Sequence, residues 1–212
     1  MSRPTKQQPE RGDARTRLLE AARDVIRAKS YAATSIDDLC QSAAVTKGSF
    51  FHHFKSKEEL GVAAAEFWAE TTSAFFAEAS YHEPDSPLDR VLAYVAFRKS
   101  IIAGELAEFT CLVGTMAEEV YATSPAIRDA CAASIFGHAA TLEADIAAAM
   151  RQHGVSGGVT AESLARHTQT VIQGAFVLAK AGNDPQLARE SLDHLDCYIR
   201  LLFGQKVMEA TQ

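Results

Sequence analysis

The sequence predicts an all-α protein, and three observations predict it. Apolar residues recur at three- and four-residue steps along most of the chain, which gathers them on one face of a helix. Hydroxyl side chains stand just before several of those runs, where they can accept free N–H groups of a first helical turn. No stretch alternates apolar and polar residues between turn signals, as a half-buried strand would.

The first helix is expected from about Asp13 to Lys29, with Leu18, Leu19, Ala22, Val25 and Ile26 inward. Thr34-Ser35-Ile36-Asp37-Asp38 sets a hydroxyl three residues before an acid and opens a short second helix over 35–43. Thr46 caps a short third helix. Ser56 caps a long fourth one reaching about Ser80, with Glu58 and Glu59 favouring its positive end. Glu83-Pro84-Asp85-Ser86-Pro87 breaks the chain. A fifth helix follows, with Leu88, Leu92, Val95 and Ile102 on one stripe and Tyr94, Phe97 and Ile101 on another. Gly104 interrupts, and a sixth helix is expected over roughly 108–121. Ser124-Pro125 starts a seventh in cap-then-Pro order, ending before the glycine-rich loop at 153–158. Thr160 opens an eighth, and Gly182-Asn183-Asp184-Pro185 separates it from a ninth carrying Leu192, Leu195, Ile199 and Leu202. The reading is a flexible arm over 1–12, a small N-terminal domain over 13–57, and a larger bundle over 58–212 that shares the fourth helix with it.

Bulk properties limit the function. The chain has 212 residues, 47% hydrophobic and 23% charged, as a globular protein does. No run approaches the ~18–20 apolar residues of a membrane span, and the N-terminus lacks the apolar core of a secretory signal, so a cytoplasmic protein is expected. Cys40, Cys111, Cys131 and Cys197 form no CxxC pair and have no histidine at finger-like spacing, so neither zinc nor disulfides are expected. No ExxH pattern, nucleophile elbow or phosphate-binding glycine loop suggests catalysis, so no catalytic residue and no cofactor are expected. The net charge of −6 is uneven: residues 1–60 hold 11 Lys+Arg against 8 Asp+Glu, and the remainder is acidic. That suits a first domain facing a polyanion, although so small an excess decides nothing alone.

The segment TKGSFFHHFKSK (46–57) mixes large apolar, imidazole and ammonium side chains. Two short helices joined by a tight turn read as helix-turn-helix, with the second placed to enter a DNA major groove. Phe50 and Phe54, four apart, share one face and can anchor the helix to its neighbours. Lys47 can reach a base edge or a phosphate, Thr46 and Ser49 are small donors, and His52, His53, Lys55 and Lys57 can reach phosphates.

VTKGSFFHHFKSKEEL (45–60), preceded by TSIDDLCQSAA (34–44) and RTRLLEAARDVIRAKSY (15–31), closely resembles the N-terminal domain of tetracycline-repressor-type regulators. The likeness covers about a quarter of the chain. It implies a recognition helix at the third position, a C-terminal bundle that dimerises, and an effector pocket within it. The implied DNA-binding set is Thr34, Ser35, Thr46, Lys47, Gly48, Ser49, Phe51, His52, His53, Lys55 and Lys57. Two departures stand out. Ala44 replaces a frequent turn glycine and would cost about 1 kcal/mol if left-handed. Phe51 stands where the family often offers a phosphate-binding tyrosine hydroxyl, so only an apolar contact with a thymine methyl or a sugar is expected of it.

The partners implied are a palindromic double-stranded operator, a second copy of the chain and an unidentified small-molecule or electrophilic effector that releases the DNA. The effector set is Phe67, Phe97, Ile101, Cys111, Thr115, Met116 and Phe176, with His138 and Gln173 as polar anchors or, alternatively, exposed or seam residues. FTCLVGTMAEEV (109–120) is similar to the subgroup around the N-ethylmaleimide-responsive repressor, where Cys followed by Leu opens this helix. Cys111 is therefore either an electrophile sensor or a small core residue. The expected dimer seam is Leu164, Val171, Gly174, Ala175, Leu178, Leu195, Tyr198, Ile199 and Leu202, because the last helix is apolar too broadly for one buried stripe. An activator with the same fold is the alternative to a repressor.

Overall fold

The computed structural model describes residues 13–205, which carry α-helices and one 3₁₀ turn and no strand among them. The expected arm over 1–12 lies outside the described residues. In chain order the helices are α1 (Ala14–Lys29), α2 (Ile36–Ala43), α3 (Lys47–His53) and α4 (Lys57–Ala77). After the 3₁₀ turn Ser80–His82 come α5 (Pro87–Ser100), α6 (Leu106–Phe109), α7 (Leu112–Val120) and α8 (Pro125–Ala140). The last three are α9 (Glu143–His153), α10 (Ala161–Gly182) and α11 (Pro185–Leu202).

The expected caps form. The side chains of Ser35, Thr46, Ser56, Ser124 and Thr160 each accept a hydrogen bond from an N–H in the first turn of their own helix. Two expected helices are each divided. The sixth becomes α6 and α7 because Thr110 and Cys111 are extended, with φ/ψ of −78°/158° and −83°/124°. The seventh becomes α8 and α9 at Thr141 and Leu142, whose backbones stay right-handed, so the apolar period runs through the joint unbroken.

The core has two parts. One gathers α5, α9, α10 and α11 around Leu88, Tyr94, Ile146, Leu164 and Leu192. The other joins the first three helices to α4, α7 and α8, with Leu18, Leu39, Phe50 and Leu60 packed in one cluster with Leu112, Met116 and Ile127. A fully buried side chain of this size contributes about 1.5–3 kcal/mol, so the small domain is stabilised partly by bundle residues. Gly61 lets this joint close: a Cβ there would lie 2.8 Å from Ile127 Cδ1 and 3.0 Å from Tyr31 Cε2.

Candidate nucleic-acid interface and effector cavity

The α2–α3 turn is set by Ala44, which is left-handed at φ 51°, ψ 49°. The Ala44 N–H donates to the Gln41 carbonyl at 3.2 Å and the Val45 N–H to the Cys40 carbonyl at 2.9 Å, the paired closure of a Schellman cap. The turn thus keeps the conformation glycine would give it. Arg17 of α1 braces it from behind, its Nη1 donating to the carbonyls of Ala43 and Ala44 at 3.3 and 3.4 Å.

Phe50 and Phe54 are buried and lock α3 onto α1 and α2, whereas Phe51 is 53% exposed. Thr46, Lys47, Gly48, His52 and Lys55 are exposed, and Ser49 and His53 are half-exposed. Lys47 Nζ pairs with Asp37 Oδ1 at 2.8 Å, and that bond raises the lysine pKa. The His52 and His53 rings meet edge to face at 4.9 Å. A Cβ at Gly48 would meet only Thr46 Oγ1, at 3.7 Å, so nothing within the chain requires glycine there.

Besides the Lys47–Asp37 pair and the Thr46 cap, three more members of the expected DNA-binding set are engaged within the chain. Thr34 is 2% exposed and its hydroxyl donates to the Ser30 carbonyl at 2.6 Å. The Ser35 hydroxyl donates to Asp38 Oδ2 at 2.7 Å and accepts from the Asp38 N–H at 3.1 Å. Lys57 is the main correction: its ammonium donates to the carbonyls of Tyr31 and Thr34, each at 2.7 Å, and lies 4.3 Å from the Tyr31 ring centroid. Burial lowers the Lys57 pKa, with the Glu119 charge opposing. It is a clamp on the α1–α2 connection, and its charge is turned inward.

A cavity of about 250 Å³ opens inside the bundle. Its walls come from α4 (Trp68, Thr72, Phe75, Phe76), from Arg98 and Ile101 at the end of α5, and from Glu108, Phe109, Cys111 and Val113 around the α6–α7 joint. Ser134, Ile135 and His138 of α8 and Gln169, Gln173 and Phe176 of α10 complete it. Of the expected effector set, Ile101, Cys111 and Phe176 are among the lining residues, together with His138 and Gln173. Four expected members do not line it. Met116 is buried in the N-terminal core and Phe67 packs against that core. Phe97 sits among the rings of Phe75, Phe76 and Tyr81. Thr115 Oγ1 donates to the Cys111 carbonyl and accepts from Lys180 Nζ at 2.8 Å.

One wall carries a closed polar chain. Tyr94 Oη lies 2.9 Å from His138 Nε2 and accepts from Gln169 Nε2 at 2.9 Å. Burial, aided by the nearby Arg98 charge, pushes the His138 pKa down to about 4, so the ring is neutral near pH 7. Cys111 is the half-exposed N-cap of α7, its Sγ accepting from the Gly114 N–H at 3.4 Å. Cys131 is buried, which pushes its thiol up to about 12, and Cys40 is buried as well.

The expected seam divides in two. Leu164, Ala175, Leu195 and Ile199 are buried within the protomer and Val171 is partly so; they are core, because α10 and α11 turn those faces toward α5 and α9. Gly174, Leu178 and Tyr198 remain exposed and Leu202 half-exposed, beside Leu201, which belongs to the same broad apolar face of the last helix, and Val177, which spacing alone had not picked out.

A braced helix-turn-helix on a helical bundle with an apolar cavity defines a DNA-binding transcriptional regulator. Residues 18–64 match the family model described as bacterial regulatory proteins of the tetR family, and 87–195 match the tetracyclin repressor-like C-terminal domain. The chain belongs to the TetR family. It is similar to the transcriptional regulator AcuR of Cereibacter sphaeroides, with 25% identity over 208 residues, 96% of this chain and 90% of that protein. It is 32% identical over 82 residues to the transcriptional repressor NemR of Escherichia coli, 39% of this chain and 41% of that one. The crystal structure of reduced E. coli NemR shares the fold at a TM-score of 0.75 and 23% identity, covering 94% of this chain and all of that one. Family and relatives are regulators, not enzymes; they bind DNA and act as dimers. No described helix is long and apolar enough to cross a membrane.

Proposed function

We propose that this regulator is a repressor that binds a palindromic operator as a homodimer and is released when a small effector fills the bundle cavity. The observation that carries the reading is a direct tie between cavity and DNA-binding domain. Arg27 of α1 donates to the carbonyl of Glu108 at 3.0 Å and places its guanidinium 5.3 Å from the ring centroid of Trp68; both partners line the cavity. An effector that moves either wall moves α1 and alters the spacing of two recognition helices. It shifts the equilibrium only by binding one arrangement better than the other.

On the DNA side the reading assigns base or phosphate contacts to Thr46, Lys47, Ser49, His52, His53 and Lys55, with Gly48 allowing close approach and Phe51 an apolar contact. On the dimer side it assigns the seam to Gly174, Val177, Leu178, Tyr198, Leu201 and Leu202. Gel shifts against the DNA upstream of the chain's own gene test it. A specific band that weakens with salt is expected, and its absence under all effector and redox conditions overturns the reading.

A second reading treats Cys111 as an electrophile or redox sensor. Cys111 combines partial exposure, a place in the cavity wall and a cap on α7, so covalent modification would disturb that helix start. The similar NemR structure is described as a reduced form, which suits a redox role. N-ethylmaleimide should release wild-type protein from DNA but spare Cys111→Ser; equal release from both sinks this reading.

A further inference from the structure

We propose that the cavity selects a small organic carboxylate carried on a planar apolar body, and that Arg98 binds its carboxylate; this rests on the cavity being the effector site. The first observation is a missing partner. Among the described residues, every other half-buried arginine has an acceptor. Arg90 has Asp145, Arg200 has Asp196, Arg23 and Arg27 share Asp24, Arg17 has two carbonyls, and Arg189 has the carbonyl of Ile102. Arg98 makes neither an ion pair nor a hydrogen bond with any acceptor among the described residues, yet it lines the cavity.

The second observation is how Arg98 is held. Its guanidinium carbon lies 5.1 Å from the ring centroid of Phe76 and 5.9 Å from that of Phe176, and both rings line the same cavity. Two aromatic faces orient the planar group while its N–H edges stay available for the two parallel bonds a carboxylate accepts.

The third observation concerns rival charges. Glu108 is the carboxylate in the lining, and its Oε2 already accepts from the Glu105 N–H at 2.8 Å. His138 is neutral near pH 7 and bound to Tyr94. Filling the cavity with a neutral ligand would strip water from a guanidinium that has no ion pair or hydrogen bond among the described residues, a heavily penalised state. An anion cancels that penalty. The apolar remainder of the lining, Phe75, Phe109 and Ile101 among it, fits a ring better than a second polar group.

The test is calorimetric titration of the full chain with benzoate, cinnamate and 1-naphthoate, each against its primary amide, using wild type, Arg98→Gln and the cavity-filling Ile101→Trp. At least one carboxylate should bind wild type tenfold or more tighter than its amide. Arg98→Gln should erase that ratio, and Ile101→Trp should abolish binding of acid and amide alike. If Arg98→Gln fails to fold, Arg98→Lys replaces it, with a reduced but surviving ratio expected. An amide binding wild type as tightly as its acid, or a ratio that survives Arg98→Gln, overturns the carboxylate assignment and leaves the cavity as effector site. Binding that persists in Ile101→Trp, or no binding of any probe, overturns both.

Discussion

Glu119, in the last turn of α7, accepts a hydrogen bond from the backbone N–H of Ala32 at 2.7 Å, across 87 residues of chain. Its other carboxylate oxygen accepts from the Tyr31 N–H at 3.3 Å. Cys111 stands at the opposite end of the same short helix, in the cavity wall. One rigid helix therefore joins the cavity to the connection between α1 and α2. Glu119→Ala leaves two backbone donors without their partner, at a cost of about 1 kcal/mol for so partly exposed a site. The expected result is a Tm lower by about 2–4 °C and faster hydrogen exchange at Tyr31 and Ala32. Glu118→Ala, which removes an exposed neighbour, should do neither; identical exchange in the two variants would refute the clasp.

Lys57 completes the grip on that connection, taking the carbonyls of Tyr31 and Thr34 while Glu119 takes the amides. A charge held this way releases no counterions from DNA. Lys57→Ala should lower stability and leave the slope of log K against log salt unchanged. Lys55 is exposed and its ammonium has no described partner, so Lys55→Ala should flatten the slope by about one ion. A flatter slope for Lys57→Ala, measured by anisotropy over a salt series, would restore it to the DNA face.

Much of the fold is legible residue by residue, and the exceptions have physical causes. Thr46, Ser56, Ser124 and Thr160 announce their helices because a capping hydroxyl is a local device. The break at Thr110 carries no proline or glycine to announce it; the residue is fully buried, its hydroxyl without a hydrogen-bond partner among the described residues. Periodicity shows that α10 and α11 have broad apolar faces, yet Leu195 and Leu178 look alike until the packing of α5 and α9 sorts core from surface. Arg98 reads as a last-turn cation at a helix end. Its place between Phe76 and Phe176, rings distant in sequence, exists only once the bundle closes.

His138 makes stability depend on pH. Its folded pKa of about 4 lies below the ordinary histidine value of 6.5, so between those values the unfolded chain binds a proton that the folded one does not. Stability from this group is fully present above about pH 6.5 and is lost as pH falls toward 4, by roughly 2–4 kcal/mol at the acid end. His138→Gln keeps a polar partner near Tyr94 without that titration. Its Tm should fall less than wild type's between pH 7 and 4.5. Parallel Tm profiles would mean the imidazole titrates normally.

Leu178 and Leu201 are 54% and 66% exposed, on the two helices that also present Val177 and Tyr198. So much apolar surface on a single protomer is the mark of a face that pairs with another. Leu178→Glu and Leu201→Glu place charge on that face without touching the core. Both variants should keep wild-type helicity by circular dichroism, sediment as monomers, and lose at least about a hundredfold in operator affinity, because each half-site must then be bound alone. Leu195 differs: at 2% exposure it belongs to the core, and Leu195→Glu would bury an unpaired charge. That variant should lose helicity outright. Sedimentation that finds Leu178→Glu still dimeric, with full affinity for a two-half-site operator, would move the seam off α10.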